Sequence, residues 1–148
     1  MKGKFVMVDG LDGSGKGVMV DALGEWAEDQ GLNVLDLRTF AQKDGRLPEI
    51  EELKEYQAVI SAEPTFCYVG KAIREELIRT GERKYSTLSL VHAFSLDREI
   101  LYKKIIIPAM NAGIHFFQER GVVSSMVYQP VQEHIPLSEL LRVPGNKL

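Results

Sequence analysis

Residues 10–17 of the chain read GLDGSGKG and follow an apolar run, FVMV, at residues 5–8. Such a run, bounded by charge and glycine, is typical of a strand buried on both faces of a parallel sheet. A helical pattern follows from about residue 15 to residue 30. Between a strand and a helix, these glycines let backbone N–H groups surround a phosphate while the lysine reaches its outer oxygens. A glycine-rich turn without a ligand is the alternative.

The residue after the lysine departs from the usual phosphate-loop motif. A Ser or Thr hydroxyl normally holds Mg²⁺ there, whereas this chain has Gly17, followed by Val18. We therefore expect Mg²⁺ to be held mainly by nucleotide oxygens, water and an acidic residue; a degenerate, inactive loop is the alternative. The predicted ATP-binding residues are Gly10, Leu11, Asp12, Gly13, Ser14, Gly15, Lys16 and Gly17.

The composition predicts one globular domain over residues 1–148, with 45% hydrophobic and 26% charged residues. A net charge of −3 argues against a dedicated nucleic-acid binder. The single cysteine cannot form an intrachain disulfide, and no apolar stretch approaches the ~20 residues that span a bilayer. The N-terminus is too short and too quickly polar for a signal peptide. We expect a cytoplasmic protein that binds neither nucleic acid nor a membrane.

Strands and helices alternate along the chain. Apolar runs predict further strands at 32–40, 58–60 and 114–118, and helical spacing predicts helices at 69–79, 86–112 and 122–133. Pro108 should kink or shorten the long helix, and residues 41–56 are predicted to form a loop with a short acidic helix. The alternation implies an α/β fold, a parallel sheet with helices on both faces. Its binding site should lie beyond the strand ends near Gly10, Glu63 and Glu119.

Three further segments combine with the loop. Glu63-Pro64 precedes GKAIREELI at residues 70–78, FSLDR occupies 94–98, and ERGVVSSMVYQ occupies 119–129. With GLDGSGK, they resemble the thymidylate kinases, whose motifs are DGSGK, E-P-x5-G-x3-R, F-x-x-D/N-R and D-R followed by S and A-Y-Q. The spacing matches over nearly the whole chain. The resemblance implies a P-loop NTPase-type three-layer α/β/α sandwich that transfers the ATP γ-phosphoryl to dTMP, giving dTDP and ADP, with Mg²⁺.

The resemblance also assigns roles on the long helix. Phe94 and Arg98 are four residues apart, so both project from one helical face. By resemblance, Phe94 stacks on thymine and Arg98 reads its O4 atom. A core position for Phe94, and a surface ion pair of Arg98 with Asp97 or Glu99, are the alternatives.

Further positions match the acceptor side of the family site. Arg120 is expected to clamp the monophosphate, which suits bidentate recognition by arginine. Tyr128 matches the aromatic beside the sugar, where its bulk disfavours a 2′-hydroxyl. A structural ion pair and plain packing are the respective alternatives. Ser125 matches the position at the N3 edge of the base, where many members have Asn. The predicted substrate-binding residues are Glu63, Arg74, Phe94, Arg98, Arg120, Ser124, Ser125 and Tyr128.

Acidic residues are expected near the metal. Asp12 matches a family residue that faces the acceptor deoxyribose and phosphate, often with the metal. Glu119 replaces an aspartate that supports the metal through water, and its extra methylene shifts that geometry, so we expect at most an indirect contact. The predicted catalytic residues are Lys16, Arg120 and Asp12.

Family members run well beyond 148 residues, into another strand, a lid rich in Arg or Lys and a last strand. We therefore expect a chain truncated before the lid, or one completed by another chain, with a largely intact acceptor pocket and weak or no kinase activity. Residues 4–8 would then form an exposed sheet edge. Homodimers are common in the family, and the 86–112 helix is apolar enough to form one, although burial within the monomer explains its pattern equally well.

Two other functions remain open from the sequence. A deoxynucleoside kinase shares the phosphate loop, the E-P turn and an E-R pair, and would use a glutamate near the turn as the base on a 5′-hydroxyl. A non-catalytic nucleotide-binding module is suggested by Gly17, Glu119 and the early C-terminus.

Overall fold

A computed structural model describes residues 2–79, 83–133 and 135–148. The strands in this part of the chain are β1 Phe5–Val8, β2 Val34–Asp36, β3 Ala58–Ala62 and β4 His115–Glu119. The α-helices are α1 Lys16–Asp29, α2 Leu37–Asp44, α3 Tyr68–Ala72, α4 Thr87–Leu101, α5 Ile107–Asn111, α6 Val122–Glu133 and α7 Leu137–Leu140. Two π-helical turns, Ile73–Leu77 and Tyr102–Ile106, extend α3 and join α4 to α5, and 3₁₀ turns form at Ile50–Leu53 and Pro144–Lys147.

The four strands form one parallel sheet in the order β1-β4-β3-β2. β1 lies at an edge of the described sheet, as expected for residues 4–8. The prediction that residues 5–8 are buried on both faces is therefore wrong, and Val6 is 40% exposed. The register pairs Glu119 with both Val8 and Ala62. The carboxyl ends of β1, β4 and β3 therefore coincide, and the segments that follow them meet at one place, as Gly10, Glu63 and Glu119 predict.

Alternating side chains divide the core between the two faces of the sheet. On one face, Ala58, Ile60 and Phe117 pack with Val20 and Ala27 of α1. On the other, Val59 and Phe116 pack with residues of α2, α4 and α5 and the π turn between the last two, including Leu37, Ala41, Leu101, Ile105, Ile106 and Ala109. Helices thus cover both faces, which confirms the predicted three-layer α/β/α fold.

The predicted strand at 32–40 is wrong beyond Asp36. The Asp36 carboxylate accepts hydrogen bonds from the backbone N–H groups of Arg38 and Thr39 and caps α2. An aspartate at this position satisfies the free amides of a first helical turn, and this outweighs the apolar residues that favour a strand. The acidic segment of 41–56 forms the Ile50–Leu53 3₁₀ turn.

The long helix runs from Thr87 to Asn111 without a break, capped by Ser86, whose hydroxyl oxygen accepts from the Ser89 N–H at 3.2 Å. Pro108 has no N–H for the preceding turn, and the π turn lies just before it, at the site of the expected distortion. Gly81, expected to follow the 69–79 helix, lies outside the described residues. No helix in the described part of the chain is long and apolar enough to cross a membrane.

Candidate active site

The phosphate loop joins β1 to α1 with two residues in the left-handed region, Gly13 (φ 77°) and Gly15 (φ 83°). Residues with a side chain rarely adopt this backbone conformation, which explains why both positions are glycine. No side chain in the described part of the chain caps the first turn of α1, so its N–H groups can bind an anion. Lys16 is 6% exposed, and its Nζ donates to the Leu11 carbonyl across the loop at 2.5 Å.

Glu119 lies against the residue that lacks the metal-binding hydroxyl. A Cβ built on Gly17 would stand 3.6 Å from Glu119 Oε2, so this carboxylate borders the space where a Ser or Thr side chain would be. Within the described residues, no group of three or more His, Cys, Asp or Glu side chains could cage a metal. Because Mg²⁺ in nucleotide sites often takes only one or two carboxylates beside phosphate oxygens and water, these residues fit a nucleotide-borne Mg²⁺.

A cleft of about 830 Å³ opens beyond the carboxyl ends of the strands, between α4, α6 and the segment after β3. Asp12 is the phosphate-loop residue that lines it, so loop and cleft adjoin there. All eight predicted substrate-binding residues line the cleft: Glu63, Arg74, Phe94, Arg98, Arg120, Ser124, Ser125 and Tyr128. Phe94 is half-buried at the cleft and stands in neither of the two core clusters.

Arg98 is buried at the floor of the cleft, with 2% of its surface exposed, so it does not form a surface ion pair. Its Nε donates to Glu63 Oε2 at 2.7 Å, and one terminal nitrogen donates to Ser125 Oγ at 3.0 Å. Gln118 Nε2 donates to the other Glu63 oxygen at 2.9 Å. Glu63 therefore holds Arg98 in one orientation and is itself held by the central strand β4.

We expect the Glu63 carboxyl to make stability depend on pH. Burial raises its pKa to about 6 from the ordinary 4.5, although Arg98 acts to lower it. The folded chain then binds this proton more tightly than the unfolded chain. This tighter proton binding adds about 2 kcal/mol to the free energy of unfolding below about pH 4.5. The added stability is lost as the pH rises through about 6. Urea unfolding from pH 4 to 7.5, wild type minus Glu63→Gln, measures it.

That difference should fall as the pH rises through about 6 and level off about one pH unit higher. Other titrating groups are shared by both proteins and largely cancel in it. A difference that rises with pH would mean that the folded state favours the ionised carboxylate, contrary to this prediction.

The residue before Arg98 holds the turn after β3. Both oxygens of the buried Asp97 accept from Thr65, from its N–H at 2.7 Å and from its hydroxyl at 2.6 Å. Arg74 Nε donates to the Pro64 and Thr65 carbonyls at 2.9 and 3.2 Å, and its guanidinium stacks on Phe66 at 3.8 Å from the ring centroid. The D-R pair and the Arg74 segment thus shape one wall of the cleft together.

Arg120 joins the cleft to the phosphate loop. Its backbone is left-handed (φ 64°), an uncommon conformation for a residue with a side chain and one found at functional sites. Its guanidinium donates to Asp12 Oδ1 and, at 3.3 Å, to Ser124 Oγ. Two of the three predicted catalytic residues, Arg120 and Asp12, are therefore in direct contact.

Asp9 was missed by the sequence reasoning. It accepts from the Ser124 hydroxyl at 2.7 Å and from the Ser124 N–H at 3.0 Å, and so ties the end of β1 to the start of α6. Ser124 Oγ stands between Asp9 and Arg120, so its hydroxyl orients the arginine. An acidic residue directly after a strand and before the first glycine is the only sequence signal, and its partner is 115 positions away.

The side-chain oxygen of Gln129 is buried at the cleft without a hydrogen-bond partner in the described residues. It lines the cleft one helical turn after Ser125, and 8% of its surface is exposed. Its Oε1 is the one buried side-chain oxygen or nitrogen in the described part of the chain without a hydrogen-bond partner. An orphaned acceptor costs free energy in the folded chain, and a ligand that brings a donor removes that cost.

Comparison with known proteins gives one consistent family. The family model for thymidylate kinase matches residues 46–146. A probable thymidylate kinase of Pyrococcus horikoshii is 32% identical over 134 residues, which cover 87% of this chain and 53% of the relative. A thymidylate kinase of Prochlorococcus marinus is 30% identical, with coverage of 93% and 56%. The chain thus spans about half the length of the curated relatives it matches.

Solved structures agree on the fold. The crystal structure of thymidylate kinase from Ehrlichia chaffeensis superposes with a TM-score of 0.71 at 21% identity, over 97% of this chain and 69% of that one. Thymidylate kinase from Candida albicans gives 0.61 at 17% identity, over 98% and 56%. With the family model covering more than half of the residues, these findings show that the chain belongs to the thymidylate kinase family.

Proposed function

We propose that this chain carries the acceptor site and the phosphate loop of a nucleoside monophosphate kinase that transfers the γ-phosphoryl group of ATP to dTMP, giving dTDP and ADP. The observation that carries the proposal is the cleft floor. Within the described residues, a buried arginine with free donors and a buried amide with an unsatisfied acceptor line the same cleft. Family membership and the adjoining phosphate loop support the same reaction.

The cleft floor is complementary to one edge of thymine. Arg98 has five N–H donors and uses three within the described residues, so two can meet a carbonyl oxygen such as O4. The orphaned Gln129 Oε1 suits the adjacent N3–H. Cytosine offers an amino group and an unprotonated N3 at the same positions, so both hydrogen bonds would be lost. In this proposal Phe94 stacks on the base, and Ser125 contributes through Arg98.

The acceptor phosphate would lie between Arg120 and Arg74, with Asp12 beside it and Tyr128 against the deoxyribose. An arginine is suited to this task because its fork matches two phosphate oxygens. An oxygen of the dTMP phosphate attacks the γ-phosphorus in line, and the bond from that phosphorus to the ADP oxygen breaks. The phosphate is itself the nucleophile and requires no strong general base. Catalysis then rests on positioning and charge neutralisation.

The donor side would use the loop amides and Lys16 to hold the phosphates of ATP. Mg²⁺, bound by the nucleotide oxygens, would neutralise charge on the donor phosphates. In this proposal Glu119 supports it indirectly, and the position of its carboxylate beside Gly17 is consistent with that role. The remaining predictions are a single domain, a cytoplasmic location, no nucleic acid or membrane as partner, and a homodimer through the long helix. The exposed Leu88 and Leu96 on α4 support only the last of these.

Thermal unfolding of this chain in the presence of single ligands tests the proposal. We expect dTMP to raise the unfolding midpoint with concentration, because it binds only the folded state. At one hundred times Kd the gain is about 2.7 kcal/mol, or roughly 5–10 °C for a chain of this size. Thymidine, dCMP and dGMP should give much smaller shifts at the same concentration, and ATP with Mg²⁺ should give its own shift through the phosphate loop.

Each other pattern counts against the proposal. A shift with thymidine but not with dTMP would indicate a nucleoside kinase. A shift with ATP alone would leave a nucleotide-binding module. No shift with any of them would mean that these residues do not form a working site by themselves.

A further inference from the structure

The C-terminal segment packs against the helix that carries Arg98. In the 3₁₀ turn Pro144–Lys147, the Gly145 N–H donates to Ser95 Oγ at 2.9 Å. A Cβ on Gly145 would stand 1.9 Å from the Ser95 carbonyl oxygen, so the turn approaches α4 backbone to backbone. This contact carries the next residue, Asn146, to the floor of the cleft. The sequence motifs gave this segment no role in the site.

The side chain of Asn146 has a fixed orientation. Its Nδ2 donates to the Leu140 carbonyl at 2.8 Å, and its Oδ1 accepts from a terminal nitrogen of Arg98. Since a carbonyl can only accept, the amide must present its oxygen to Arg98. Asn146 is 9% exposed, so water does not readily replace either contact.

Asn146 therefore completes the set of acceptors that orient the guanidinium. Glu63 holds Nε, Ser125 holds one terminal nitrogen and Asn146 holds the other. Among the residues that the structure describes, one N–H on each terminal nitrogen has no partner, and Arg98 lines the cleft. Without Asn146, the guanidinium is held only by Glu63 and Ser125, and its plane can tilt about the line joining these two contacts. The free donors would then no longer be directed at one place.

We propose that Asn146 is a positioning residue for base selection, which it exerts through Arg98. The inference rests on the proposed function, since it assumes that Arg98 reads a carbonyl oxygen of the base. It extends the selective site to the segment just after α7, which the sequence motifs of the family do not include. The acceptor oxygen of the amide is the part that matters for selection. The donor nitrogen matters for attaching the turn.

Calorimetric titration of dTMP and dCMP into matched variants tests whether the amide oxygen of Asn146 serves base selection and its nitrogen serves stability. Asn146→Ala should lower the ratio of dTMP to dCMP affinity about tenfold, the loss expected when one hydrogen bond is misdirected. Asn146→Asp keeps an acceptor for Arg98 but loses the donor to Leu140, so it should lower the unfolding midpoint and retain the ratio. Asn111→Ala, at an exposed position of α5, is the control and should change neither quantity.

The ratio separates selection from stability. A variant that is partly unfolded weakens both apparent affinities by the same factor, so their ratio is unchanged. The proposal is overturned if Asn146→Ala lowers the midpoint and leaves the ratio intact, or if Asn146→Asp loses the ratio as fully as alanine does. If the wild type shows no preference for dTMP, the proposed function is wrong. The role of Asn146 in base selection is then wrong as well, because it assumes that preference.

Discussion

Replacing Arg120 by methionine should weaken the binding of dTMP at least about 100-fold and leave the binding of thymidine nearly unchanged. Two hydrogen bonds to a charged phosphate contribute about 1.5 kcal/mol or more each, and about 1.4 kcal/mol corresponds to a factor of ten. Methionine keeps much of the apolar volume of the side chain and removes the charge. Titration calorimetry with both ligands on wild type and variant measures the two affinities directly.

The contact between Arg120 and Asp12 makes this a demanding test. If that ion pair is only structural, the variant will lower the unfolding midpoint and weaken dTMP and thymidine equally. Arg142→Met is the matched control, because Arg142 is exposed and has no place in the site. It should bind both ligands as the wild type does. A loss of thymidine binding as large as that of dTMP binding would contradict a phosphate role for Arg120.

Replacing Gly70 by alanine should destabilise the fold by about 3 kcal/mol or more, the upper range for an overpacked site. A Cβ there would lie 2.3 Å from Thr65 Oγ1, 2.4 Å from its carbonyl oxygen and 2.5 Å from its nitrogen. Two of these atoms are backbone, and Asp97 holds the same residue through two hydrogen bonds, so the turn cannot easily move away. For a chain of this size the midpoint should fall by roughly 6–12 °C.

Gly17→Ala is the matched control for Gly70→Ala. Both glycines are in the first turn of a helix, but a Cβ on Gly17 meets its nearest atom, in Glu119, at an ordinary 3.6 Å. Alanine should therefore be neutral or slightly stabilising there, because it favours the helix over glycine. Thermal unfolding by circular dichroism compares the three proteins. Equal midpoints for both variants would show that Thr65 can yield at little cost.

Sequence reasoning succeeded where the signal is local. Gly13 and Gly15 adopt the left-handed backbone that only glycine tolerates well, so the phosphate loop is visible in eight letters. The apolar run at 58–60 likewise lies in the fully buried strand β3. The run at 5–8 forms a strand, but at the edge of the sheet and without a buried residue. The strand was predicted to continue past Asp36 because an apolar residue lies on each side of it. The helix cap that ends the strand depends on the single carboxylate of Asp36.

The sequence does not reveal hydrogen bonds between residues that are far apart in the chain. Asp9 meets Ser124 across 115 positions, and Asn146 meets Arg98 across 48. Nothing near Asn146 in the chain indicates an arginine partner. The orphaned oxygen of Gln129 is likewise a property of burial among several elements, and no spacing reveals it.

By itself the sequence determined a parallel α/β chain with a phosphate loop, and it indicated the arginines and the aromatic residues that line the candidate site. Those features depend on backbone freedom, apolar periodicity and motif spacing, which are properties of short stretches of sequence. Only the tertiary structure decided which groups hold Arg98 and Arg120, and which polar atoms of the cleft have no partner in the described part of the chain. The physical reason is the sheet register, which brings the ends of β1, β3 and β4 together and so sets distant side chains within hydrogen-bonding distance.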